Sequence, residues 1–251
     1  MTVPAEYDPW LALRRFTQAR IALGRTGASL PTLPWLEFGL AHAQAKDAVH
    51  LPLEREKILA QLRAAGFEQV LVHSAARDRP VYLCRPDLGR SLDEASRERL
   101  QHLKSPNRPD VVFVIADGLS SCGVACHAVT LLQEVVCLLP GWRLAPIVVA
   151  EQSRVALGDE IGEILQAQQV VVLIGERPGL SSPDSVGIYL TYAPRVGRND
   201  AERNCISNVR SAGLSYVLAA KRLIYLMYAA KHLKLSGVNL KDESNLLLST
   251  D

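Results

Sequence analysis

No apolar run in this sequence approaches the roughly 20 residues that a membrane-crossing helix needs, which argues against a membrane span. An excess of one charge is missing as well. Lys and Arg number 28 against 26 Asp and Glu, a net charge of +2. That balance leaves no electrostatic footprint for nucleic acid. Aromatic residues, at 6%, offer few platforms for stacking bases. Cysteine is sparse and odd in number: Cys84, Cys122, Cys126, Cys137 and Cys205. An odd set cannot pair completely, and a chain of 251 residues buries enough surface to fold without staples. The stretch Met1 to Trp10 carries Pro4, Glu6, Asp8 and Pro9 in place of the apolar core of a signal peptide. The expectation is a cytoplasmic, reducing setting with the thiols in the core.

Familiar catalytic signatures are missing too. No Gly-x-Gly-x-x-Gly follows a strand, and there is no Walker phosphate loop. The six histidines are scattered and form no zinc-protease motif. Ser120 and Ser121 lack a Gly-x-Ser-x-Gly elbow. Cys122-x-x-x-Cys126-His127 puts two thiols on one helix face, but no second ligand pair accompanies them. Buried structural thiols are the preferred reading over a metal site.

What is present is a globular composition, 48% hydrophobic and 22% charged. From Leu11 to Leu30 there are four arginines, Arg14, Arg15, Arg20 and Arg25, and no acid. Leu13, Phe16 and Leu23 fall at helical spacing there, before Gly24, Gly27 and Pro31 end the pattern. The arginines read as a polar helix face, with a subunit contact or anion clamp as the alternative. A second helix is expected over Pro34–Asp47, with Trp35, Phe38, Leu40 and Ala43 making apolar contacts, and a third over Leu53–Ala65. Val70–His73 and Val81–Cys84, separated by Ala76-Arg77-Asp78-Arg79, read as a small hairpin. A helix over Leu92–Leu103 leads to a linker, Lys104–Pro109.

Beyond Asp110, apolar strand-length runs alternate with helical patterns. The runs are Val111–Ala116, Ile147–Ala150, Val170–Gly175 and Val186–Tyr192, and the helices are Ser121–Leu139 and Asp159–Ala167. A long helix over Ile206–Lys234, with Leu214, Val217, Leu218, Ile224, Tyr225 and Tyr228 as its apolar face, closes the pattern. The tail beyond Asn239 is polar and then Leu246–Leu248, a segment expected to fray or to pack on a partner. Runs buried on both faces point to an α/β fold, a Rossmann-like, doubly wound, mostly parallel sheet with a helical N-terminal extension. The expected division is a mainly helical region with a hairpin, residues 1–104, and an α/β domain, residues 105–251.

Ligands of such sheets bind beyond the carboxyl ends of the strands. Two loops qualify: Asp117-Gly118-Leu119-Ser120 and Gly175-Glu176-Arg177-Pro178-Gly179. The plain alternatives are that Asp117 caps the next helix and that Glu176-Arg177 is a solvated turn.

Several segments together resemble one family. They are Leu13–Gly27 (LRRFTQARIALGRTG), Lys46–Val49, Tyr82–Gly89 (YLCRPDLG) and Val114–Ser120 (VIADGLS). Further along come Arg154-Val155, Ile161–Leu165 (IGEIL), Ile174–Leu180 (IGERPGL), Tyr192–Arg195 (YAPR) and Asn204–Asn208 (NCISN). This combination resembles the small (light) subunit of ethanolamine ammonia-lyase over Leu13 to Asn239. The resemblance implies a carbon–nitrogen lyase that converts ethanolamine to acetaldehyde and ammonia with adenosylcobalamin. It implies a large-subunit TIM barrel as partner, with the cobalamin between the two chains. It also implies a hetero-oligomer on the order of six copies of each subunit. The family's cofactor contacts fall here on Val155, Glu176 and Cys205, and no catalytic residue is implied for this chain. An Asp-x-His-x-x-Gly segment, which replaces the cofactor's own base in other cobalamin proteins, is absent. The cobalt is therefore expected to be carried by the cofactor with its base attached. Many members have a leading segment that in some accompanies packaging into a bacterial microcompartment, whereas the match here begins by about residue 11. Two rival readings remain: a stand-alone nucleotide- or phosphate-binding module, and a partner subunit without a ligand.

Overall fold

The structure, a computed structural model, describes residues 9–244. The Met1–Asp8 stretch read for a leader and the Leu246–Leu248 tail lie outside them. Six strands form one sheet: β1 (Gln69–His73), β2 (Val111–Ala116), β3 (Ile147–Glu151), β4 (Gln169–Gly175), β5 (Val186–Tyr192) and β6 (Arg203–Val209). Their order is β1-β3-β2-β4-β5-β6. The first four run parallel, and β5 and β6 add antiparallel. The expected mixed α/β class and mostly parallel sheet are what the structure shows.

Burial on both faces explains the uninterrupted apolar strands. In β2, Val111, Phe113 and Ile115 join a core completed by α2 (Arg55–Ala64), α5 (Ser121–Cys137) and α7 (Tyr216–Leu233). Val112, Val114 and Ala116 point the other way, into a second core with α4 (Glu94–His102) and α6 (Leu157–Ile164). From β2 the chain moves through α5 to β3 on one side, then through α6 back across β2 to β4 on the other. The strand order therefore reverses at β2, and the loops that follow β2, β3 and β4 gather there, where ligands of such sheets bind.

Several local expectations need correction. The hairpin does not form. Val70–His73 lies in β1 and pairs parallel with β3, whereas Val81–Cys84 belongs to helix α3 (Arg79–Cys84). Asp78, read as a turn residue, caps α3 by accepting from the Val81 amide at 2.9 Å. The long C-terminal helix is shorter than expected. Its first part is β6, and Ser215 caps α7. The buried face of α7 is Ala219, Ala220, Leu223, Leu226, Met227 and Ala230, while Val217, Leu218 and Tyr228 are exposed. The short helix expected through Leu13, Phe16 and Leu23 is a 3-10 segment, Pro9–Phe16. Leu11, Leu13 and Phe16 on it are exposed, so little burial supports a longer helix. Helix α1 (Thr32–His50) forms, but only Ala41 and Ala48 are buried, and Trp35, Phe38 and Leu40 are exposed. Cys84, Cys122, Cys126 and Cys137, expected in the core, are free and exposed, and so is Cys205, the expected cofactor contact.

One buried ion pair ties α6 to β6. Arg203 donates to both carboxylate oxygens of Asp159 at 2.6 and 2.7 Å, with each side chain 2% exposed. Replacing Arg203 by Met strands the carboxylate and should cost about 3–5 kcal/mol. Adding Asp159→Asn should recover part of that loss, as urea melts of the single and double variants will show.

Candidate functional site

The loops after β2, β3 and β4 meet where the strand order reverses. Leu119 donates its amide to the Gly175 carbonyl at 2.9 Å. Two glycines make this approach possible. Gly118 has φ +55, and a Cβ there would lie 2.2 Å from the Gly175 carbonyl oxygen. A Cβ on Gly175 would lie 2.2 Å from the Ser120 carbonyl oxygen. Ser120, not Asp117, caps α5, accepting from the Gly123 amide at 3.2 Å.

Asp117 has a different task. Its carboxylate is 1% exposed and accepts from the amides of Gln152 and Ser153, both at 2.8 Å. Arg79 donates to it at 3.3 Å and to the Gly118 carbonyl at 2.8 Å. Asp117 thereby joins the loop after β3 to the loop after β2. Burial pushes its pKa up to about 6, against the pull of the Ser153 amide, Arg79 and the Gln152 amide.

Beyond these loops lies an open cleft of about 650 Å³. Glu176 stands at its edge, immediately after β4. Ser207 donates its hydroxyl to one Glu176 oxygen, and the Asn208 amide donates to the other at 3.0 Å. Gly187 lets the side chain lie flat on β5, since a Cβ there would meet Glu176 Oε1 at 3.1 Å. Asn208 (φ 61) and Gln152 (φ 54) are both left-handed without being glycine. Each directs its amide at a site carboxylate, at a backbone cost of order 1–3 kcal/mol per residue.

Val155 lies on the opposite wall, in the loop after β3. Cys205 does not line the cleft. It sits on exposed edge strand β6, two residues before Ser207 on the same face and paired across the ladder with Tyr189. Ser207 and Tyr189 do line the cleft. Desolvation around the sulfur raises the Cys205 pKa, the Tyr189 hydroxyl opposes this, and the Glu176 charge adds to it. The thiol therefore stays protonated at neutral pH. Val155 and Glu176 thus share one cavity, with Cys205 on its rim.

Reading the loops alone missed the cationic side of the cleft. Arg154, Arg177 and Arg210 line it, and Tyr82 lies beneath. The Tyr82 ring is held between the guanidinium groups of Arg79 and Arg154, at 4.8 and 4.3 Å. Its hydroxyl donates to the Ser153 carbonyl at 3.0 Å. Tyr82 and Arg154 were visible in YLCRPDLG and Arg154-Val155, but the mistaken hairpin hid their meeting. Arg154 keeps a buried Nε with no protein partner. The cleft thus offers spare donors, one carboxylate acceptor and apolar wall from Leu119, Val155 and Ile174. That donor set fits an amphipathic ligand with an apolar body and a rim of amides or phosphate.

The thiol-histidine segment assembles differently. His127 bonds the Tyr216 hydroxyl at 2.6 Å, beside exposed Cys126. Among the described residues no three His, Cys, Asp or Glu side chains gather as a metal site, and no helix is long and apolar enough to cross a membrane.

Comparison with known proteins is decisive for the family. Residues 7–241 match the family model described as Ethanolamine ammonia-lyase light chain (EutC). The chain belongs to this family. A Pseudomonas aeruginosa protein named ethanolamine ammonia-lyase small subunit is 58% identical over 243 residues, covering 95% of this chain and 89% of its own. Relatives of the same name from Azotobacter vinelandii and Xanthomonas campestris are 57% and 56% identical. Each alignment covers 97% of this chain and 92% of the relative. The family places the chain among lyase subunits.

The Asp117 environment sets a pH dependence. A carboxyl raised from 3.8 to about 6 binds its proton more tightly in the folded state, so its contribution is full below about pH 4 and is lost as pH rises through about 6. Denaturant melts between pH 4 and 7 should show a decline on the order of 3 kcal/mol from this group. The Asp117→Asn variant should lack that decline; an identical slope in both proteins would refute the assignment.

Proposed function

We propose that this chain is the small subunit of an adenosylcobalamin-dependent ethanolamine ammonia-lyase and forms one wall of its cofactor site. The observation that carries the reading is the cleft where the strand order reverses, with Glu176 fixed opposite Val155 and one side left open. When bound, the cofactor supplies the radical chemistry that turns ethanolamine into acetaldehyde and ammonia. The chain's own residues bind and orient. Glu176, immobilised by Ser207 and Asn208, has lone pairs left to accept from rim amides or a ribose hydroxyl. Val155 offers apolar contact, and Cys205 lies against the outer edge of the ligand. Arg154, Arg177 and Arg210 suit the phosphate and amide carbonyls of the nucleotide tail.

A large subunit closes the open side, excluding water from the cofactor, in a cytoplasmic hetero-oligomer. The cleft residues include no imidazole, so none of them would supply a ligand to cobalt. Proton transfer and substrate recognition fall to the partner.

Co-expression with the large subunit tests this reading. The pair should retain cobalamin and deaminate ethanolamine. Glu176→Ala should weaken cofactor retention about tenfold, the loss expected for one charge-assisted contact, and leave turnover at saturating cofactor nearly unchanged. A large fall in turnover with unaltered affinity would contradict a purely binding role.

A further inference from the structure

Residues 10–40 carry ten of the twenty exposed large apolar side chains recorded for the described residues. Helix α1 is the sharpest case. Helical spacing places Ala41 and Ala48, its only buried residues, on one face. Leu33, Trp35, Leu36, Phe38 and Leu40 are distributed around the rest of the circumference, and Trp35, Leu36 and Leu40 are each more than 60% exposed. A helix that rests on its own domain through two alanines and exposes five large apolar side chains in its first nine residues is shaped to be covered there. So many large apolar side chains exposed within one short stretch mark an interaction site.

The chemistry of the occupant follows from charge. Residues 10–40 carry Arg14, Arg15, Arg20 and Arg25 against a single acid, Glu37. A second copy packed arm to arm about a two-fold axis would set arginine against arginine. A groove with an apolar floor and an acidic rim suits both features. Position identifies which partner carries it. Arg20 donates to the Leu180 carbonyl at 3.2 Å and to the Ser181 hydroxyl at 3.4 Å. Those residues lie between Arg177 and Ser182, in the loop that borders the open cleft.

We infer that residues 10–40 form a docking arm that inserts into an acidic, apolar groove on the same partner that closes the cofactor cleft. Arg20 links the arm to the cleft loop, so docking also steadies that loop. This rests on the reading of the preceding subsection, where that partner is the large subunit.

The test uses the co-expressed two-subunit enzyme. Leu36→Glu with Leu40→Glu should weaken association about thirtyfold or more, as loss of interface anchors does. The melting temperature of the isolated chain should stay unchanged, because these side chains face solvent. Arg14→Ala with Arg15→Ala should flatten the salt dependence of association. Arg20→Ala should leave association intact while cobalamin dissociates several-fold faster, consistent with loss of one positioning contact. Double-Glu variants that associate like the wild type would overturn the arm and leave the lyase reading standing. So would loss of self-association in the isolated chain with the two-subunit complex unaffected. A wild-type chain that never associates with the large subunit would overturn both readings.

Discussion

The contact between the backbones of Gly118 and Gly175 is the constraint on which the site depends. Two loops can leave neighbouring parallel strands and touch only if neither carries a Cβ at the crossing. The amide of Leu119 then reaches the Gly175 carbonyl, α5 starts at Ser120, and Glu176 emerges at the mouth of the crevice. A side chain at either glycine would separate the loops and move the carboxylate. The sheet topology makes a crevice necessary at β2, and the glycines decide how tightly it is built.

The two acidic residues on these loops have opposite environments and opposite tasks. Asp117 is sealed behind two backbone amides and Arg79, so it holds the framework. Glu176 is fixed by two donors but remains at the edge of the cavity, with capacity to accept more. The arginines around the cleft point to a ligand with accepting groups of its own. The apolar wall and the open side suit a molecule larger than the cleft, completed by a second chain.

The sheet was legible because a strand covered on both faces must be apolar throughout. Val111–Ala116 and Val170–Gly175 read as such, with the site loops at their ends. The errors have equally definite causes. Val81–Cys84 is strand-like in composition, but Asp78 and Pro80 start a helix before it. Ile206–Val209, read as the start of the long helix, is the end of strand β6 because β5 had a free edge to pair with, which no local periodicity announces. Trp35, Phe38, Leu40 and Ala43 were read as making apolar contacts because sequence pattern shows hydrophobic spacing and not what covers it. In the structure most of them face solvent.

The sequence by itself determined the fold class, the two candidate loops and the motif set that marks the family, because these depend on residue type and local spacing. Only the tertiary structure decided that Asp117 is structural while Glu176 is available. It also decided that Tyr82 and Arg154 meet beneath the cleft and that Cys205 stands at its rim. Those facts depend on which residues approach across 30 to 70 positions of chain, and the crossing of β2 by the β3–α6–β4 connection sets that approach.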